Sequence, residues 1–135
     1  MKKEKHEEIL KEVDEVIKYA LEDSRGLLPH QRRLASMISL GTENLLELYF
    51  HKLSVMKEGS KIDHRWFKSR KEYIFERLQN QITGEIKEIK KIAEIVDLIV
   101  NIEDKRDELV YGAPASEEVL QEKINLYFKL KEVLR

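Results

Sequence analysis

The chain contains no cysteine, and only five glycines and two prolines occur among its 135 residues. Without cysteine it cannot form disulfides, use a thiolate nucleophile, or build cysteine-ligated zinc and iron–sulfur sites. Because glycine and proline are the residues least compatible with a helix interior, their scarcity favours long helices. A run of about 18 apolar residues, which a membrane-spanning helix requires, is also missing, and the charged N-terminal segment does not resemble a signal peptide. We therefore expect a cytoplasmic protein without a membrane segment.

Charge of one sign is also lacking, since 25 Lys and Arg residues face 26 Asp and Glu residues for a net charge of −1. This balance argues against a broadly basic surface for nucleic acid and against an acidic tail. The hydrophobic fraction of 41% is sufficient for a buried core. A length of 135 residues predicts one domain over 1–135, and the Lys-, Glu- and Ile-rich composition is typical of hyperthermophile proteins.

Apolar residues recur at three- and four-residue spacing along most of the chain, which is the pattern of core-facing helices. Five helices are predicted, over about 4–23, about 30–57, from 64 to a break at 83–84, over about 85–110, and from 116 onward. Asp63 and Ser116 are the expected N-caps of the third and fifth helices. Gly41, inside the second helix, predicts the close approach of another helix. With no alternating strand pattern, the fold class is all-α, an up-and-down antiparallel helical bundle of about five helices.

The four histidines are scattered, and three of them can be assigned an environment from their neighbours. His6 lies in a charged first turn and is predicted to face solvent. His30, with Arg32 and Arg33, stands at a helix start that could hold a phosphate, although such a cluster also suits an exposed first turn. His64, at the start of the third helix, is predicted to be a partly buried, hydrogen-bonded structural histidine.

Metal and cofactor motifs are weak or missing in the sequence. Glu47 and His51 stand four residues apart and could contact one ion, but two ligands are too few for a site. No glycine-rich phosphate loop, nucleophile elbow or zincin motif is present. We therefore predict neither a metal nor a cofactor.

Two local groups of residues could contact an anion. The first is a basic cluster near the start of the third helix, which suits a solvated face better because acidic residues are interleaved with it: Arg65, Lys68, Arg70 and Lys71. The second is Arg106 with Tyr111, at the end of the fourth helix, where an arginine and a polar aromatic could hold a phosphate or ribose. Alternatively, Arg106 pairs with Glu103 or another carboxylate, and Tyr111 packs the following loop onto the bundle.

Three segments resemble the HEPN domain superfamily of small prokaryotic helical-bundle proteins. Residues 33–51 are similar to the family's long helix of small and aliphatic residues, and residues 59–67 resemble its connection of a glycine followed by a histidine. Residues 106–112 resemble the branch in which an Arg-x4-Tyr motif stands in place of Arg-x4-His. The resemblance covers most of the chain in layout, although each motif is short.

The resemblance implies roles for the residues of the third segment. Arg106 matches the family arginine, Asp107 fills the polar position after it, and Tyr111 stands where ribonuclease members carry histidine. A tyrosine with an ordinary pKa of about 10 is a poor base at neutral pH. Ala113 replaces the second tyrosine of the toxin-like variant, so modification at that position cannot be transferred to this chain.

The expected function is accordingly a HEPN-like module that binds a partner protein, a nucleotide or an RNA ligand without efficient catalysis. The resemblance implies a homodimer, a minimal nucleotidyltransferase partner as in toxin–antitoxin systems, and a ligand site at Arg106, Tyr111 and His64. Two alternatives remain, so whether the chain is an enzyme stays open. One is a weak metal-independent endoribonuclease that uses Arg106, Asp107 and Tyr111, with His64 nearby. The other is a purely structural helical interaction protein.

Overall fold

The computed structural model describes residues 2–135, and all of its regular secondary structure is helical. The α-helices are α1 (Lys3–Glu22), α2 (Gln31–Lys52), α3 (Lys71–Gln81), α4 (Ile92–Glu103), α5 (Arg106–Tyr111) and α6 (Glu117–Val133). Three short 3₁₀ segments, Leu28–His30, His64–Lys68 and Ile86–Glu88, lie between them. Within residues 2–135 the only β-type pairing is an isolated antiparallel bridge between Met56 and Ile82. The all-α prediction is confirmed, and none of the helices described is long and apolar enough to cross a membrane.

Contacts between side chains give the direction of the helices in the bundle. The start of α1 contacts the middle of α2 through His6 and Asn44, whereas its end contacts the segment preceding α2 through Asp23 and His30. These two helices are therefore antiparallel. Glu117 at the start of α6 binds the backbone of Leu27, so α6 begins near the end of α1 and runs beside α2 in the same direction.

Apolar side chains from all six helices form one core cluster. Its largest fully buried members are Tyr127, Phe50, Phe67, Ile17, Leu34, Leu46, Ile74, Leu78, Ile82, Ile95, Ile99 and Leu120. The three- and four-residue spacing of apolar residues also predicts core positions for Leu21, Leu53 and Phe128, but all three are substantially exposed. The apolar stripes are therefore wider than the surfaces that the bundle covers.

The close approach predicted at Gly41 is confirmed. A Cβ atom at this position would overlap Oη of Tyr127 and would lie 2.8 Å from two of its ring carbons. Tyr127 is fully buried in α6, so the missing side chain of Gly41 is what allows its ring to lie against α2. The Tyr127 hydroxyl has no hydrogen-bond partner in residues 2–135.

The second predicted helix is shorter than expected, because α2 ends at Lys52 rather than near residue 57. Ser54 adopts a left-handed conformation with φ of 59°, and the amide of Val55 donates to the carbonyl of Phe50. This is the bonding pattern of a left-handed helix terminus. The chain then continues in an extended form, with Lys57 bonded to the carbonyl of Gln81.

The third and fourth predicted helices are each interrupted. Asp63 does cap a helical turn by accepting from the amide of Arg65, but that turn is the 3₁₀ segment His64–Lys68, and α3 begins only at Lys71. The predicted helix over 85–110 is broken where Lys91 and Lys105 take left-handed conformations, each with φ of 61°. The break at Lys105 turns the chain and gives α5 a direction of its own.

Candidate functional site

The side chains predicted as site residues come together in one open cleft of about 940 Å³. Its walls are α2, the segment of residues 59–68 and the short helix α5, which packs against α2. Four of its lining residues are those predicted from the sequence: His64, Arg106, Asp107 and Tyr111. Segments about 40 residues apart in the chain therefore share one surface.

Arg106 is the first residue of α5, and its side chain is only 17% exposed. Its Nε donates to Oγ of Ser39 at 3.1 Å, and its Nη1 donates to Asp107 at 2.9 Å. Neither contact uses Nη2. The predicted alternative of a pair with a carboxylate is therefore met by Asp107. Glu103 is reached only indirectly, since Ser39 lies between it and Arg106 and donates to Glu103 at 3.0 Å.

His64 is partly buried, as predicted, and faces a carboxylate. Its Nδ1 lies 3.4 Å from Oε2 of Glu103, an ion-pair distance, and makes no hydrogen bond within residues 2–135. The Glu103 carboxylate raises the pKa of His64 above its ordinary value, and the charge of Glu43 acts in the same direction. Burial and the positive charge of Arg106 oppose this increase. His64 is therefore held towards its protonated form.

Two carboxylates on α2 also line the cleft. Burial raises the pKa of Glu43, whose Oε2 accepts from the amide of His64 at 2.8 Å. Burial likewise raises the pKa of Glu47, which accepts from the amide of Ile62 at 3.1 Å. These bonds attach the segment that follows α2 to the side of that helix, so the carboxylates shape the wall on which His64 lies.

The His64 pair predicts a dependence of stability on pH. Because the pKa of His64 is raised in the folded state, its ion pair with Glu103 stabilises the fold. This stabilisation is fully present below the pKa of about 6.5 that histidine has in the unfolded chain, and it is lost as pH rises through the pKa of His64 in the folded protein. We expect the difference in unfolding free energy between the wild type and His64→Gln to be larger at about pH 6 than at about pH 9. Urea unfolding of both proteins measures this difference. A difference that stays constant over this range would contradict the pair.

Tyr111 ends α5 and is 77% exposed at the rim of the cleft, so it does not pack the loop onto the bundle. That task belongs to Gln31, a buried residue of α2 that sequence reasoning missed. Its Nε2 donates to the carbonyls of Leu109 and Ala113, and its Oε1 accepts from the amide of Ala115. Gln31 therefore fixes both ends of the turn that presents Tyr111.

The basic cluster at the start of the third predicted helix is largely neutralised by ion pairs. Its members pair with acidic residues as Arg65 with Asp63, Lys68 with Asp107 and Lys71 with Asp97. Arg65 and Lys68 both line the cleft. Positive charge at this surface is consequently local, as the overall charge balance indicates.

The other histidines lie away from a phosphate site. His30 is bonded through Nε2 to Asp23 at 2.8 Å, and this carboxylate also binds Arg25, so an acidic group occupies the expected anion position. The prediction that His6 faces solvent is wrong. It is fully buried, with Nδ1 at 2.8 Å from Oδ1 of Asn44, because α1 packs its first turns onto α2.

Glu43, Asp63 and His64 have ligand atoms within 4.8 Å of one another, close enough for a shared metal ion. The Asp63 carboxylate is already bonded to the guanidinium of Arg65, and one oxygen of Glu43 is bonded to backbone. Cationic side chains also line this cleft. We therefore describe these residues as part of an acidic and basic network and assign no metal to them.

Ser39 and Glu103 are the residues that join the site together. Ser39 appears in the sequence only as a small residue in an apolar helix, and Glu103 only as a possible partner of Arg106. Both are buried, with exposures of 2% and 0%. A polar residue within the apolar stripe of each helix is the signal that could have revealed them.

The geometry of this cleft is the main guide to function, because comparison with known proteins supplies no relative. No protein family model matches the chain, and the searches of curated proteins and of solved structures likewise found no match.

Proposed function

We propose that this chain is a HEPN-like helical module whose cleft binds the phosphate of a nucleotide or RNA ligand without efficient catalysis. One observation carries the proposal: Arg106 and His64, brought together from distant segments, line the same open cleft. A guanidinium and an imidazolium offer two charged donors to a phosphate. Tyr111, exposed at the rim, offers an aromatic face on which a base can stack.

The mixed charge of the cleft favours a small number of phosphate contacts. Its cationic residues are accompanied by carboxylates, among them Glu43 and Asp107. A protein that neutralises many phosphates needs an excess of basic groups, and its affinity falls steeply with salt. A mononucleotide or one exposed phosphate of an RNA strand suits this site better than a long duplex.

Arg106→Gln tests the binding proposal. We expect it to weaken binding of ribonucleoside monophosphates or a short single-stranded RNA by about tenfold or more, because a charge-assisted contact to phosphate is lost. Calorimetry at low salt measures the affinity. The matched control is Arg32→Gln, since Arg32 is an exposed arginine outside the cleft.

Equal affinity of the wild type and Arg106→Gln would overturn the site assignment. An equal loss in Arg32→Gln would show instead that binding follows overall charge. Helical circular dichroism of each variant confirms that the fold is retained.

A second candidate is a weak metal-independent endoribonuclease, and the position of His64 in the cleft beside Glu103 favours it. In this reaction the ribose 2′-oxygen bonds to phosphorus while the bond from phosphorus to the 5′-oxygen breaks. His64 gives a proton to the leaving 5′-oxygen, and the 2′-hydroxyl proton passes to water. Cleavage of labelled RNA in the presence of a chelator, lost in His64→Gln, would support this reaction over binding alone.

The proposal includes the partners that the resemblance implies, a second copy of the chain and a minimal nucleotidyltransferase. The exposed apolar side chains available for such contacts include Tyr111 at the cleft and Tyr19, Leu21 and Phe128 elsewhere. Exposed apolar side chains at a surface are compatible with a protein interface.

A further inference from the structure

Two of the cationic side chains that line the cleft, Arg106 and His64, share one buried anion. Oε2 of Glu103 accepts from the Ser39 hydroxyl at 3.0 Å and lies 3.4 Å from Nδ1 of His64. The same hydroxyl accepts from Nε of Arg106 at 3.1 Å. A continuous path therefore runs from the Arg106 guanidinium through Ser39 and Glu103 to the imidazole of His64, joining α2, α4, α5 and the segment His64–Lys68.

The proton count of Ser39 makes it a bridge with a fixed direction. A serine hydroxyl has one proton to donate and lone pairs with which to accept. The proton goes to the Glu103 carboxylate, which can only accept when ionised, and a lone pair receives the Arg106 N–H. Alanine at position 39 could neither donate to Glu103 nor accept from Arg106, so both hydrogen bonds need the serine hydroxyl.

Glu103 lies between Ser39 and His64 in this arrangement and is fully buried. Its side chain is 0% exposed, and its other oxygen, Oε1, has no partner in residues 2–135. Burial of an ionised carboxylate is costly unless positive charge compensates for it. The compensating groups here are His64 directly and Arg106 through Ser39.

We infer that Ser39 and Glu103 are positioning residues of the proposed phosphate site. The buried Glu103 carboxylate fixes the His64 ring and, through the Ser39 hydroxyl, the Arg106 guanidinium, so that both cations meet a ligand phosphate as one unit. This inference rests on the proposed function for the identity of the ligand. The coupling among the four side chains is a property of the ligand-free protein.

Other charged groups face His64, and they do not replace Glu103. Glu43 on α2 is bonded to the backbone amide of His64, Asp63 is bonded to Arg65, and Arg106 on α5 is positive. Glu103 alone among these faces the ring nitrogen at ion-pair distance. The raised pKa of His64, with Glu103 as its main cause, agrees with this geometry.

The first test needs no ligand. Nuclear magnetic resonance titration of the histidine rings is carried out on the wild type and on Glu103→Gln, which keeps the shape of the side chain. We expect the pKa of His64 to fall in Glu103→Gln, while the ring resonances of His30, which is bonded to Asp23 at another site, keep their wild-type chemical shifts. An unchanged His64 titration would overturn the inference.

The second test uses Ser39→Ala and remains informative if Glu103→Gln does not fold. We expect faster solvent exchange of the Arg106 Nε proton and about tenfold weaker binding of adenosine monophosphate. Ser39→Thr keeps the hydroxyl and is expected to restore both. If Ser39 only fills space, the hydroxyl of threonine would bring no improvement over alanine. Equal proton exchange and equal affinity in Ser39→Ala and Ser39→Thr would therefore overturn the inference.

The two proposals fail in different ways. If the wild type binds no mononucleotide or RNA, the proposed function is wrong, and the titration of His64 still decides whether Glu103 controls this ring. If binding depends on Arg106 but the Ser39 and Glu103 variants bind and titrate as the wild type does, the proposed function stands and the positioning role is wrong.

Discussion

Replacing Phe67 by alanine is expected to lower the free energy of unfolding by about 3–5 kcal/mol, since the loss of a buried aromatic side chain leaves a cavity. Phe67 is 2% exposed and belongs to the core cluster. It lies in the short segment His64–Lys68, which packs on α4. Phe67 is the one residue of this five-residue segment that is fully buried, so its side chain anchors the wall of the cleft that carries His64.

Denaturant unfolding of Phe67→Ala measures the loss, and Phe128→Ala is the matched control. Phe128 is the same residue type but is 43% exposed on α6, so its removal is expected to cost about 1 kcal/mol. Equal losses in the two variants would contradict the anchoring role. In Phe67→Ala we also expect the amide of His64, bonded to Glu43 in the wild type, to exchange faster with solvent.

Gly41→Ala is expected to cost about 2 kcal/mol of unfolding free energy, although alanine is the better helix former. The new Cβ would overlap Oη of Tyr127, and the tyrosine ring is fully buried and cannot move away freely. Overpacking of this kind costs up to about 3 kcal/mol, whereas the gain in helix propensity is about 1 kcal/mol. The steric term is therefore the larger one, and thermal or urea unfolding measures the net result.

A double variant separates this contact from a general effect on α2. Tyr127→Phe alone is expected to be close to neutral, because the hydroxyl that it removes is buried without a partner. In Gly41→Ala/Tyr127→Phe part of the lost stability should return, since the nearest atom is gone while the ring carbons at 2.8 Å remain. If the double variant is no more stable than Gly41→Ala, the loss of stability does not come from contact with the Tyr127 hydroxyl.

Local chemistry made several elements predictable from the sequence. Ser116 caps α6 by accepting from the amide of Val119, and Asp63 caps the turn after it. Both are short polar side chains placed directly before an apolar pattern, where the geometry of a cap depends on neighbouring residues only. Gly41 was predictable for a similar reason, because glycine inside a helix indicates a close neighbour.

The breaks at Lys91 and Lys105 were not predictable, because lysine rarely adopts the left-handed conformation that both residues have. The structure supplies a reason at the second break, where Nζ of Lys123 donates to the carbonyls of Asn101 and Asp104. These carbonyls are left without intrahelical partners at the end of α4. A side chain from α6 satisfies them, which is a long-range contact that no local pattern records.

The candidate site, too, is only partly predictable from the sequence. The sequence singles out the segment 106–111 by its residues, whereas only the resemblance places His64 in the same ligand site, because nothing in the spacing of these residues joins them. The turn at Lys105 sets the direction of α5 and directs Arg106 towards Ser39, and the 3₁₀ segment at 64–68 directs His64 towards Glu103.

The sequence by itself determined the all-α class, the absence of thiol chemistry and the local character of positive charge, because composition and helical periodicity are properties of neighbouring residues. Only the tertiary structure decided where the helices break and that Ser39 and Glu103 link Arg106 to His64. Those outcomes depend on buried polar groups finding partners across the bundle. Packing in three dimensions brings these partners together, and they cannot be paired from the sequence because they lie 64 and 67 residues apart along the chain.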